Sequence, residues 1–226
     1  MKAAYISLYG KNAPFNYGDL PDPVPAEDQI LVEVKAVSVN PVDYKIKSGV
    51  LRILTGFKFP KILGSDYSGI VKSIGTGVIG IKPGDRVYGA LPIIMGKQGA
   101  LAQLAVADRS RAHKIPEGMS FEEAASLPVA ALTALNAMRK CKVKSGSSIL
   151  INGATGGVGH FAIQIAKAKG AYVTATCSSS NIELAKNLGA DVITGYSKKK
   201  KTKNQNKYDS LFDAFGKMDY ADVCRL

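Results

Sequence analysis

Between Ala154 and Gly159 the chain reads Ala-Thr-Gly-Gly-Val-Gly. An apolar run, SILIN, precedes these glycines, and a helical pattern, VGHFAIQIAKAKG (158–170), follows them. The spacing is A-x-G-x-x-G, the dinucleotide fingerprint with alanine for its first glycine. Gly156 lets the backbone approach a pyrophosphate, and Gly159 lets the helix pack closely on the strand. Amides at the helix start, with the helix dipole, would face the anion. Thr155, Gly156, Gly157, Val158 and Gly159 are therefore candidate cofactor-binding residues.

An NAD site carries an acid about 20 residues past the glycines, where it accepts from the ribose 2′-hydroxyl. Nineteen residues past Gly159 the chain has Ser178, then Ser179, Ser180 and Asn181. A carboxylate there would repel a 2′-phosphate, whereas neutral donors beside a helix start accommodate one. Ser178, Ser179 and Asn181 thus point to NADPH rather than NADH. The same serines also suit an N-cap, and both roles can hold at once.

The elements that position this turn alternate. After SILIN and its helix come a strand (AYVTATC), a helix (NIELAKNLGA), a strand (DVITGY), a lysine-rich loop and a fourth strand within YDSLFDAFG (208–216). Strand and helix in alternation imply an α/β, doubly wound parallel sheet. A complete sheet of this kind needs two more strands, so about four strands are expected here, in a fragment or a truncated product. Residues 1 to about 110 read as β-rich instead, with ILVEVKAVSVN (30–40) and GIVKSIGTGV (69–78) broken by Gly and Pro turns. Short, closely spaced strands favour a barrel-like or sandwich domain. The texture changes near Pro116. In SFEEAASLPVAALTALNAMRK (120–140), Ser120 and Glu123 fit a capping box, and Pro128 interrupts or restarts the helix. The expected domains are 1–120 and 121–226.

Composition narrows the classes. The chain has 226 residues, 46% hydrophobic and 21% charged, with no apolar window long enough to span a membrane and no signal-peptide core at the N-terminus. Cys141, Cys177 and Cys224 are odd in number and far apart, so neither a disulfide framework nor a CxxC metal pattern is expected. A reducing cytoplasm follows by default. The net charge of +12 divides into +8 before Ser197 and +4 after it, where KKKKTK lies. A lysine run in a polar loop is ordinarily solvated, and no basic stripe is interleaved with aromatics, so no nucleic-acid partner is expected.

VNPVDYKIKSG, GSDYSGIVKSIGTGV, KPGDRVYG and IPEGMSFEEAASLPVAALTAL precede GATGGVG in that order. Together they resemble the zinc-free quinone oxidoreductase-like branch of the medium-chain dehydrogenase/reductase superfamily, over nearly the whole chain. The resemblance implies a GroES-like N-terminal domain, a partial Rossmann-type domain and reduction of quinones or activated carbon–carbon double bonds by NADPH. Zinc alcohol dehydrogenases of the superfamily carry a catalytic cysteine where this chain has Asn40 and a His-Glu pair where it has Ser65-Asp66. Neither Asn40 nor Ser65 suits zinc, so no metal is expected.

In the family, the asparagine and the residues after it line the nicotinamide pocket. The resemblance thus implies that Asn40 and Lys45 bond the nicotinamide ribose or substrate oxygen, that Asp43 fixes their loop, and that Tyr44 is a candidate proton donor. Read from residues alone, Asn-Pro and Asp are turn formers and Lys45 a surface lysine. Asn181 stands where several NADPH-dependent relatives have Lys or Arg. Tyr196 matches a tyrosine that contacts the 2′-phosphate, and Thr133 lies in the helix that passes behind the nicotinamide. Tyr196 and Lys200 also spell Y-x-x-x-K, the short-chain dehydrogenase pair, here a coincidence. Tyr67, Phe57 and Tyr88 are wall or core aromatics, and His160 a helix-surface residue. An NAD(P)-linked alcohol or enoyl-thioester reductase, or an inactive cofactor-binding relative, are the alternatives. A homodimer is implied for a full-length form and not for this chain. An open sheet would instead lower its stability and promote self-association.

Overall fold

The computed structural model describes residues 1–195, 208–216 and 218. Tyr196 and the lysine run at 198–203 lie outside the described residues. Two compact units result, Met1–Val129 and Ala130–Leu226.

In the first unit, β1 (Lys2–Ile6), β2 (Asn16–Asp19) and β3 (Gln29–Ser38) precede two short helices, α1 (Pro41–Lys47) and α2 (Arg52–Thr55). Strands β4 (Lys61–Ile62), β5 (Asp66–Ile74), β6 (Arg86–Ala90), β7 (Leu104–Asp108) and β8 (Ala112–Lys114) follow, then α3 (Phe121–Ser126). One sheet runs β2-β1-β4 and the other β7-β3-β5-β6-β8. Every pairing is antiparallel. Period-two alternation along β3 buries Ile30 and Val32, which join Tyr67, Val71 and Val87 in one apolar cluster. The β3–β5 register shifts between Val34 and Ala36 and so sets Ser38 opposite Asp66.

Asn-Pro-Val-Asp has the residue types of a turn, but it is the start of a helix. Asn40 is the N-cap of α1, Pro41 takes the first helical position, where its missing N–H costs little, and the Asp43 carboxylate accepts from the Asn40 amide. At Ser120 the capping box forms in both directions: Ser120 N–H donates to Glu123 and Glu123 N–H to the Ser120 hydroxyl. The compact units divide at Val129/Ala130. The reason is that α3 packs on β3, β5 and β6 and so belongs with the first unit.

The second unit holds β9 (Ser148–Asn152), β10 (Tyr172–Cys177), β11 (Val192–Gly195) and β12 (Ser210–Asp213). Its helices are α4 (Pro128–Lys140, from Ala130 onward), α5 (Gly159–Ala168) and α6 (Ile182–Asn187). All four strands are parallel, in the order β11-β10-β9-β12. Ile149, Ile151, Val173 and Ala175 are fully buried, as strands covered on both faces require. Ala162, Ile163 and Ala166 of α5 pack in the same cluster. The first three strands wind to one side of β9 and the fourth pairs on its other side. A doubly wound sheet has its switch point there, and the glycine turn follows β9 at that point. No described helix is long and apolar enough to cross a membrane.

Candidate functional site

The glycine turn is built by close approach. Gly153 has φ of 72°, in the left-handed region. A Cβ on Gly159 would lie 2.2 Å from the Gly153 carbonyl oxygen and 2.8 Å from two Ala154 backbone atoms, so only glycine lets α5 start this close to the end of β9. Gly157 faces open space. Among the described residues, the amides of Thr155, Gly157, Val158 and Gly159 have no hydrogen-bond acceptor. The cradle therefore offers unpaired N–H groups at a helix N-terminus, which fits a pyrophosphate.

The next strand-to-helix junction meets this turn. Asn181 Nδ2 donates to Thr155 Oγ1 at 3.2 Å, joining two of the expected cofactor residues. Ser178 is extended and leads into a short 3-10 turn at Ser179–Asn181, so the serines precede α6 rather than occupying its first turn. No serine side chain caps that turn; the Ser178 and Ser180 hydroxyls bond each other at 3.0 Å. His160 lies on α5, with Nδ1 3.0 Å from the Gly156 carbonyl oxygen. Thr133 is exposed on α4. Tyr196 lies outside the described residues.

Three groups that the sequence reading missed converge at the end of the sheet. Asn152 accepts from Thr176 Oγ1 and donates to Asp213 at 2.8 Å. Asp213 also accepts from the amides of Phe215, Gly216 and Met218. Burial works to raise the Asp213 carboxyl, but these donors hold it below the usual carboxylate range. Polar residues at a strand terminus, Asn152 in SILIN and Asp213 in SLFD, are the signal that could have found them.

In the first unit a second cluster forms around Asn40. Its Nδ2 donates to Asp66 Oδ2 at 2.9 Å and lies 3.4 Å from both Ser38 Oγ and Ser65 Oγ. Ser38 Oγ donates to the same Asp66 oxygen at 2.8 Å, and the Val129 amide adds a contact at 3.2 Å. Asp66 is fully buried, and burial pushes its carboxyl up while these donors oppose the shift and Asp43's charge adds to it. Asp43 is buried as well and ties α1 to the start of β5, accepting from Asn40 N and Gly64 N at 2.7 and 2.8 Å. Burial raises its carboxyl against those two amides. Tyr44 and Lys45 lie on the exposed face of α1, Tyr44 at 59% exposure, and are not brought into this cluster. Tyr67 is core, Phe57 is exposed, and Tyr88 tilts against His113.

Comparison with known proteins decides the family. Residues 26–117 match the alcohol dehydrogenase GroES-like domain, and residues 157–225 match the zinc-binding dehydrogenase family. The chain is 39% identical to the chloroplast envelope quinone oxidoreductase homolog of Arabidopsis thaliana, over 92% of this chain and 65% of that protein. It is 37% identical to the chloroplastic quinone-oxidoreductase QR1 of Triphysaria versicolor, over 93% of this chain and 67% of that protein. The chain belongs to the medium-chain dehydrogenase/reductase superfamily. Its place is in the quinone oxidoreductase-like branch. The solved quinone oxidoreductase of Coxiella burnetii superposes with a TM-score of 0.83 at 36% identity, covering 88% of this chain and 63% of that one. This medium-chain dehydrogenase/reductase chain thus spans just under two thirds of the length of the Arabidopsis and Coxiella proteins.

The superfamily includes zinc enzymes, so the donor set around Asn40 matters. It comprises one amide, two hydroxyls and one carboxylate already engaged by three donors. Zinc sites use thiolate, imidazole and carboxylate, and these residues do not fit one. Among the described residues no three His, Cys, Asp or Glu side chains group to hold a metal.

Proposed function

We propose that the chain is a zinc-independent, NADPH-dependent oxidoreductase acting on quinones or α,β-unsaturated carbonyls. One observation carries the reading: a glycine turn with unpaired amides stands at the switch point of a parallel sheet. When bound, the nicotinamide would supply hydride. The amides of Thr155, Gly157, Val158 and Gly159 hold the pyrophosphate. Ser178, Ser179 and Asn181 take the 2′-phosphate, which neutral donors admit and a carboxylate would repel. The Asn181–Thr155 bond couples the two parts of that cradle. Asn40, held by Asp66 and by its place as N-cap, orients the nicotinamide ribose or the substrate oxygen. Asp43 positions it through the backbone. Lys45 and Tyr44, exposed on α1, are the groups free to reach a substrate oxygen and to hand it a proton. We place the chain in a reducing cytoplasm, where Cys141 and Cys177 stay free thiols.

The test is consumption of NADPH by the purified chain with a panel of quinones and enones. NADPH oxidation that requires the acceptor is expected, and Asn40→Ala should lower it about tenfold, the worth of one hydrogen bond to a charged or polarised group. A chain that binds NADPH yet turns over no acceptor in the panel would overturn the activity.

A further inference from the structure

A cavity of about 270 Å³ lies within the first unit, and it shares no residue with the Asn40–Asp66 cluster. Ile46, Phe59, Ile62, Leu63 and Ile93 make its walls apolar. Three lysines, Lys58, Lys61 and Lys97, also line it, and among the described residues no Asp or Glu does. Lys61 is the unusual one. It is only 8% exposed, at the start of β4. Its ammonium has three N–H groups and, among the described residues, one acceptor, the Thr55 carbonyl at 2.8 Å. The rings of Phe59 and Tyr9 lie 5.4 and 5.8 Å away, and Tyr9 is anchored by its hydroxyl to Thr55 and Gly56. Among the described residues none of the three lysines forms an ion pair.

A lysine buried to this degree is ordinarily paired, because taking an ammonium out of water is costly. One carbonyl and two aromatic faces compensate part of that cost. They leave two N–H donors for an acceptor at the cavity. The volume falls just below the roughly 300–1,000 Å³ of ordinary small-molecule pockets, so the occupant is fragment-sized. Apolar walls with a buried cation and two more at the rim select a particular chemistry, that of a compact apolar body carrying one anionic head.

We propose that this cavity binds a small organic carboxylate, an aromatic or short aliphatic acid, with Lys61 as its counter-ion. The proposal stands apart from hydride transfer and does not depend on the glycine turn.

Benzoate is the probe, and benzamide, of the same shape without the charge, is the control. Titration of the intact chain should show saturable benzoate binding and benzamide binding at least tenfold weaker. Amide NMR shifts should centre on Thr55, Phe59, Ile62 and Ile93. Lys61→Met keeps the apolar stem and should weaken benzoate at least tenfold. If Lys61→Met does not fold, Lys97→Gln on the exposed rim gives the second reading, a two- to threefold loss. Equal binding of benzamide, shifts centred on the glycine turn, benzoate binding unchanged in the folded variants, or no binding by the folded wild-type chain would each overturn the proposal.

Discussion

Gly159→Val is expected to weaken NADPH binding by roughly 100-fold or more and to lower the stability of the second unit. The Cβ would sit 2.2 Å from the Gly153 carbonyl oxygen, and both partners are backbone, so no flexible side chain can give way. Either α5 moves off β9 or the turn opens. Overpacking of this kind costs about 3 kcal/mol. It also displaces the four unpaired amides that make the cradle, so the Kd for NADPH should rise roughly 100-fold or more, beyond the ~2.8 kcal/mol that such a ratio represents. Gly157→Ala is the control for folding. Its Cβ meets nothing within 4 Å, so stability should stay within ~0.5 kcal/mol of wild type. Urea melts of the two variants beside the parent separate these outcomes. A Gly159→Val protein with parental stability and parental NADPH affinity would show that the turn does not depend on close packing.

The second large effect is at Asp66. Asp66→Ala should destabilise the first unit by ~3 kcal/mol, because Ser38 Oγ, Asn40 Nδ2 and the Val129 amide lose their shared acceptor at a fully buried place. Asp66→Asn should cost less, since one acceptor oxygen remains. The two variants also differ in their dependence on pH. Burial raises the carboxyl of Asp66 above the ordinary aspartate range, so the folded state holds its proton more tightly than the unfolded one. The associated stabilisation is complete below the unfolded value and is lost as pH rises through the folded value. The stability advantage of wild type over Asp66→Asn should therefore shrink as pH rises from about 4 and level off once the carboxyl is ionised. Denaturant melts across that range measure it. An advantage that grows with pH would mean the donors around Asp66 outweigh its burial. Asp43, also raised by burial, is present in both proteins, and its charge, which raises Asp66 in wild type alone, acts in the same direction.

Much of this was legible because it is local. The glycine spacing, the strand before it and the helix after it are contiguous in sequence, and the four-stranded parallel sheet follows from the alternation of elements. The Ser120 capping box and the new helix at Pro128 are likewise signals within a few residues. What escaped the sequence is non-local or misread. Asp66 gains its meaning from Ser38 and Asn40, more than twenty residues earlier, through a register that a bulge in β3 sets. Asn152, Thr176 and Asp213 meet only because three strands end together. Helix α1 was hidden because Asn-Pro-x-Asp signals a turn and a helix start equally well, and only the carboxylate bond to the Asn40 amide decides between them. The family resemblance groups Tyr44 and Lys45 with Asn40, and α1 carries both on its exposed face, outside the Asn40–Asp66 cluster.

The glycine turn and the serine cluster together should form a working site for a phosphorylated dinucleotide. Titrating the purified chain with NADPH and with NADH at moderate salt tests it most directly. Saturable binding is expected, with NADPH at least about tenfold tighter, since Ser178, Ser179 and Asn181 offer donors where an NAD site places a carboxylate. Equal affinity for the two, or no binding by a chain that melts cooperatively, would contradict it.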